Sequence, residues 1–154
     1  MIKNYWLMKC EPDSYSIDDL KRDKKTYWDG VRNFQARNFM RDQMQVGDLI
    51  LYYHSNAEPS GVAGIARIFK TGYPDFSAWD PKDTHYDPKS TPKKPLWYMV
   101  DLEFVEKFKH FVSLEEIKAS PSLKDMLVVK RGQRLSVQPV EKGDFEIIRE
   151  MGKK

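Results

Sequence analysis

A chain of 154 residues is the size of one ordinary domain with a single core. With 40% hydrophobic, 32% charged and 13% aromatic residues it has ample apolar surface to bury, which excludes a disordered chain. The net charge of +3 permits phosphate contact but falls short of the signature of a strongly basic groove-binding protein, and the single cysteine, Cys10, excludes an internal disulfide framework or a cysteine-based zinc cluster.

Tyr5-Trp6-Leu7-Met8 predicts a first strand, closed by the break at Glu11-Pro12. Met1-Ile2-Lys3-Asn4 lead into it with no apolar signal segment. No stretch approaches the roughly 20 apolar residues that a spanning helix needs. The expectation is a cytoplasmic protein, or a nuclear one in a eukaryote, with no membrane partner. Ser16, followed by Asp18 and Asp19, predicts an N-capped short helix ending near Asp23. Tyr27-Trp28 run into the turn signal Asp29-Gly30. Asn33 is placed to cap a second helix, with Phe34, Ala36, Phe39 and Met40 as its apolar stripe and Arg37 and Arg41 pointing away.

Leu49 to Tyr53 and Gly61 to Phe69 predict an antiparallel hairpin around a polar loop, with Gly61 and Gly64 marking a bulge, a bend or a close approach. Residues 70–95 read as a long irregular insertion carrying Phe76, Trp79, Tyr86 and the lysines Lys82, Lys89, Lys93 and Lys94. Those lysines, like Lys130, Arg131 and Arg134 further on, fit either a solvated face or phosphate contact. Trp97 to Val105 predicts another strand. Ser113-Leu114-Glu115-Glu116 is a capping box for a helix that Pro121 ends. Leu135 to Val140 alternates as a half-buried strand does, and Asp144 to Met151 predicts a last helix. One domain over 1–154 follows, of α+β class, with many short strands in a small twisted or closed sheet and short helices at its edges.

Enzyme motifs are missing from this pattern. His54, His85 and His110 make no H-E-x-x-H pair or zinc-deaminase spacing, and there is no phosphate loop, dinucleotide turn or nucleophile elbow. Strand ends could bring Cys10 and His54 together as a nucleophile pair, or each could simply pack where it lies. The expectation is no catalytic residue, no metal and no cofactor.

Three stretches have the chemistry to hold a flat, hydrogen-bonding ligand. In Trp28-Asp29-Gly30-Val31-Arg32-Asn33 an indole beside a turn can stack on a base. The glycine lets backbone approach, the start of the Asn33 helix offers free N–H groups, and Arg32 can meet a phosphate. A core tryptophan before an ordinary helix cap would look the same. Ser55 and Asn56, after His54, supply donors and acceptors that suit a base edge or a turn equally. Arg134, Ser136 and Gln138 fall on one side of a strand, as a pocket wall or a solvent face. A partly exposed Trp28 would be replaceable by alanine with little loss of stability.

The runs Trp6-Leu-Met-Lys-Cys-Glu-Pro12, Trp28-Asp-Gly-Val-Arg-Asn-Phe-Gln-Ala-Arg-Asn38, Tyr53-His-Ser-Asn56, Gly61-Val-Ala-Gly-Ile-Ala66, Tyr86-Asp-Pro-Lys-Ser90 and Arg134-Leu-Ser-Val-Gln-Pro139 resemble the EVE domain family, in order over nearly the whole chain. The resemblance implies a PUA-like curled β-barrel of mostly antiparallel strands flanked by short helices, related to the YTH and SRA-type readers of modified bases. It implies a non-catalytic reader that captures a nucleobase, modified in the related readers, from DNA or RNA. On matching positions Trp28 becomes the stacking platform, and Asp29, Arg32, Asn33, Ser55, Asn56, Arg134, Ser136 and Gln138 become base-binding candidates. Trp79 and Tyr86 are the candidates for a second aromatic, for which this sequence has no secure match. The alternatives are a module for a free nucleoside, a peptide or another small molecule, and an enzyme acting on RNA or a nucleotide in the same pocket.

Overall fold

The computed structural model describes residues 4–132 and 134–154. The first three residues, read above as leading into the fold, lie outside it, as does Gln133. Six strands make one sheet: β1 (Tyr5–Cys10), β2 (Lys25–Trp28), β3 (Leu49–His54), β4 (Gly61–Pro74), β5 (Tyr98–Ser113) and β6 (Val137–Val140), in the order β2-β5-β4-β3-β1-β6. β1 and β3 run parallel; the other neighbouring pairs are antiparallel. The helices are short: α1 (Ile17–Asp23), α2 (Phe34–Asn38), α3 (Leu114–Ala119) and α4 (Lys142–Met151).

Alternation along the central strands builds two cores, one on each face. From β1, Trp6 and Met8 enter one apolar cluster with Trp28, Tyr52 and Met40; Leu7 enters the other with Leu51, Val62, Phe145 and Ile148. Leu49 to Tyr53 is buried throughout because β3 is covered on both sides.

The sheet is open, the twisted form of the two that the strand pattern allowed, and does not close into the barrel that the family resemblance implied. Its end strands, β2 and β6, have four residues each, and no ladder joins them among the described residues. β2 is cut off by the turn at Asp29-Gly30, where Gly30 has φ +81°, and β6 gives way at once to α4. Two strands run longer than expected. β4 continues to Pro74 and β5 to Ser113, paired with register shifts that bend both, so residues 70–74 belong to the sheet rather than to the insertion.

The N-cap expected at Ser16 and the capping box expected at Ser113 are both present, and the Ser16 cap is itself a full box closed by Asp19. Ser16 Oγ accepts from Asp19 N–H, and Ser113 Oγ accepts from Glu116 N–H. α2 differs. Asn33 caps it, accepting from Ala36 N–H at 3.0 Å, and it then loosens into a π turn at Phe39–Gln43. Ala36 and Met40 are buried, one turn apart, but Phe34 lies two positions before Ala36 and so on the far side of the helix. It is 55% exposed, while Arg37, expected to point away, is half-buried and donates to Leu96 O.

Candidate functional site

A cleft of about 890 Å³ opens where the sheet fails to close, within the size range of ligand clefts. Its lining comes from both sides of the seam. Thr26, Tyr27 and Trp28 of β2 contribute one side, and Arg134 and Ser136, immediately before β6, contribute the other. Cys10 at the end of β1 and Ser55 after β3 close the far end.

The Trp28 side is braced from beneath by a buried carboxylate. Asp75, 0% exposed, accepts from Gly30 N–H at 2.8 Å, Arg32 Nη1 at 3.0 Å, and both Ser77 N–H and Oγ–H at 2.9 and 2.6 Å. Burial alone would push this carboxyl up; the bonds from Ser77, Gly30 and Arg32 outweigh it and hold Asp75 below the usual carboxylate range. Arg32 also donates twice to His85 O, at 3.2 and 2.6 Å, so the group expected to meet a phosphate is engaged within the protein. The His85 ring lies over Gly30, where a Cβ would come within 2.5 Å of Nε2; only glycine permits both this approach and the positive φ.

Trp28 itself is more buried than a platform at the surface would be, at 9% exposure, and its ring meets Tyr52 edge-on at 5.6 Å. Its indole N–H has no acceptor among the described residues and is not sealed from solvent. The partial exposure on which a mild alanine substitution depends is thus not met, and replacing Trp28 by alanine would cost the fold about 3–5 kcal/mol.

The other side rests on backbone. Ser55 N–H donates to Cys10 O at 3.0 Å, and Lys9 N–H donates to Ser136 O at 2.9 Å. Asn56, with φ +48°, donates from Nδ2 to Glu11 Oε1 at 2.6 Å. Arg134 is exposed, and no side-chain hydrogen bond of Ser136 exists among the described residues.

Trp28, Asp29, Arg32, Ser55, Asn56, Arg134 and Ser136 thus share one cleft. Four candidates do not line it. Asn33 is spent on capping α2. Gln138, 1% exposed, turns inward and donates to Leu135 O at 2.8 Å, because β6 begins only at Val137 and the alternation read through 134–138 does not hold before it. Trp79 is half-buried in the short 3₁₀ turn Phe76–Trp79, and Tyr86 lies exposed beyond it; neither is the cleft's second aromatic. The rings that do line it beside Trp28 are Tyr15, Tyr27 and His85, which no local pattern marked.

Cys10 and His54 are register partners in β1 and β3 but form no dyad among the described residues. His54 Nε2 accepts from Ile17 N–H at 3.1 Å, and burial pushes the Cys10 thiol up, away from the thiolate a nucleophile needs. Asp29, Asp83 and His85 bring ligand atoms within 4.8 Å of one another, a half-exposed grouping common on proteins that hold no ion. A second cavity, of about 670 Å³, is lined by three carboxylates, Asp125, Glu141 and Asp144, against one cation, Lys142, a balance that disfavours phosphate.

The EVE domain profile matches residues 4–151. The chain belongs to the EVE domain family. Thymocyte nuclear protein 1 of Rattus norvegicus is 43% identical over 166 residues, covering 96% of this chain and 73% of the relative. Among solved structures, a Pseudomonas syringae protein superposes with a TM-score of 0.92 at 45% identity, over 96% of this chain and 99% of its own. Human THYN1, crystallised in complex with 5-methylcytosine-containing DNA, superposes with a TM-score of 0.91 at 40% identity, over 99% of both chains. Among the described residues of this EVE domain, no helix is long and apolar enough to cross a membrane.

Proposed function

We propose that this EVE domain is a non-catalytic reader of modified DNA that receives one nucleobase in the cleft, flat against Trp28. The observation that carries this reading is the convergence on one cleft of an indole with an unclaimed N–H and the polar groups of Ser55, Asn56, Arg134 and Ser136. The likeness to human THYN1, whose crystal contains 5-methylcytosine DNA, makes that base the first to test. Among the described residues, the engaged His54 and the raised thiol of Cys10 speak against nucleophilic catalysis in the same space.

In this reading Trp28 supplies the stacking face, about 1–3 kcal/mol per base. Ser136, Ser55 and Asn56 address the base edge and Arg134 a phosphate. A base from a duplex must first be turned out of the stack, at a cost of a few kcal/mol. Burying one methyl group adds about 0.8 kcal/mol, so apolar contact alone separates 5-methylcytosine from cytosine by about fourfold.

The test is fluorescence anisotropy on matched oligonucleotides with cytosine or 5-methylcytosine, single-stranded and duplex, in DNA and RNA. The expected result is tighter binding to the methylated DNA and a ratio near one for Trp28→Leu, which keeps apolar volume in the core. Equal affinity for all strands, or an intact ratio in a folded Trp28→Leu variant, removes the proposal; preference for RNA reassigns the partner.

A further inference from the structure

Phe34 is out of place by the logic of its own helix. A large apolar side chain at the start of α2 should enter the core, yet it is 55% exposed. It is also held still. Its ring stacks on Trp97 at 4.8 Å and 23°, and the Arg37 guanidinium sits 4.8 Å from its centre. Trp97 is itself fixed, donating from Nε1 to Asp87 at 2.7 Å, and Arg32, which lines the cleft, lies 5.4 Å from the Trp97 ring. The exposed ring is thus one aromatic layer away from the cleft wall.

Its surroundings are basic. Arg37 donates only to Leu96 O and the Asn38 amide oxygen, so its charge has no carboxylate partner among the described residues. The same fixed groups pin the lysine-rich loop beside it. Lys89 N–H donates to Asp87 Oδ1, Leu96 N–H donates to Ser90 Oγ, and Lys94 N–H closes a turn onto Thr91. Lys89, Lys93 and Lys94 are exposed and without ion pairs among the described residues. The acidic groups nearby are already engaged: Asp42 pairs with Arg41 at 2.8 Å and Asp87 accepts from Trp97. A ring held by Trp97 and Arg37 yet exposed, beside a loop with three lysines that have no ion pair among the described residues, matches a stacked base and its neighbouring phosphates.

We propose that Phe34 and the lysines Lys89, Lys93 and Lys94 form a second contact surface for the nucleic-acid strand, with Phe34 stacking on a base that flanks the one in the cleft. This rests on the reading of the cleft as a nucleobase site and adds how the strand leaves it. Phe34 contributes affinity without regard to modification, since every base has a flat face, and the lysines contribute the salt-dependent part.

The experiment uses the same cytosine and 5-methylcytosine DNA strands at two or more salt concentrations, with wild type, Phe34→Ala, the triple variant Lys89→Gln/Lys93→Gln/Lys94→Gln, and Trp28→Leu. Phe34→Ala is expected to weaken binding to both strands by at least about fivefold, the lower end for a lost stacking ring, with their ratio unchanged. The triple variant, which leaves the aromatic stack intact, should lower the slope of log affinity against log salt by about 2 for three lost phosphate contacts. If both variants bind within twofold of wild type at unchanged slope while Trp28→Leu abolishes the ratio, the surface is not a nucleic-acid contact and the cleft reading stands. If the two variants act as expected but wild type shows no preference for the modified base, the surface stands and the cleft reading falls. If wild type binds neither strand, both fall and Phe34 is left to a protein partner.

Discussion

The turn at Asp29-Gly30 and the approach to β6 at Arg134–Ser136 line the same cleft, but they hold their polar groups differently. On the Trp28 side the groups are claimed from within: Gly30 N–H and Arg32 by Asp75, Arg32 again by His85 O, Asn33 by the helix it caps. On the Ser136 side the backbone is fixed while Arg134 and the Ser136 hydroxyl remain available. A buried carboxylate with four good hydrogen bonds makes a stiff wall, and stiffness is what a stacking platform needs, because an indole that tilts loses its contact area. The opposite wall must meet the edge of a ligand that the protein has not yet bound, and there Arg134 and the Ser136 hydroxyl are left open among the described residues, while Asn56 Nδ2 is held by Glu11.

The contrast is broken most severely at Asp75. Asp75→Ala would leave the Ser77 hydroxyl and Gly30 N–H without their acceptor and the half-buried Arg32 without a counter-charge. A loss of about 3–5 kcal/mol is expected, read from the denaturant midpoint, together with loss of any base preference. A cost below about 1 kcal/mol would mean that the Trp28 wall does not depend on its brace.

Ser136 on the other wall and Gln138 buried behind it sharpen the contrast, because they lie two positions apart and are used in opposite senses. Gln138 is buried and bonded, so Gln138→Ala should cost about 1–3 kcal/mol through the lost hydrogen bond and the void, and should leave the affinity of the folded protein unchanged. Ser136→Ala should do the reverse. With no internal bond to lose, its melting temperature should stay at the wild-type value, while affinity for the methylated strand drops by about 0.5–1.5 kcal/mol, one neutral hydrogen bond. Parallel thermal melts and titrations separate the two; equal behaviour would show that both are structural.

The same pair shows what was legible in the sequence. Signals that act within a few residues read correctly: the Ser16 cap, the capping box at Ser113, the Asn33 cap, the hairpin of β3 and β4. Alternation and helical period reveal which residues share a face, but not what covers it. The helical period therefore groups Phe34 with a core that Ala36 and Met40 occupy, and strand alternation puts Gln138 on a surface it does not reach. Asp75 and His85 gave no signal at all. Their partners, Gly30 and Arg32, are more than 40 residues away in the chain, and a Pro-Asp-Phe-Ser stretch reads as an ordinary turn. The open seam was hidden for a related reason: whether β2 and β6 meet depends on the bend of the long β4–β5 pair, which register shifts set and composition does not.

The smallest expected effect concerns pH and acts through His54, on the Ser136 side. His54 ends β3 just before Ser55, and its Nε2 must be unprotonated to accept from Ile17 N–H at the start of α1. Burial pushes its pKa below the ordinary 6.5, Asp18 opposes that, and Lys107, itself 2.8 Å from Asp18, adds to it. As pH falls through 6.5 the unfolded chain takes up a proton that the folded one refuses. The stability His54 contributes is therefore complete above that value and declines below it, levelling once the folded protein also protonates. Glu116 does not confuse the window: its hydrogen bond to His110 holds its carboxyl below 4.5, so its contribution is lost only at lower pH. In melts between pH 7.5 and 5, His54→Gln can still accept from Ile17 N–H but cannot titrate. The wild-type melting temperature should fall relative to that of the variant as the pH drops below 6.5. A constant difference across the range would mean that His54 carries no proton-linked stability.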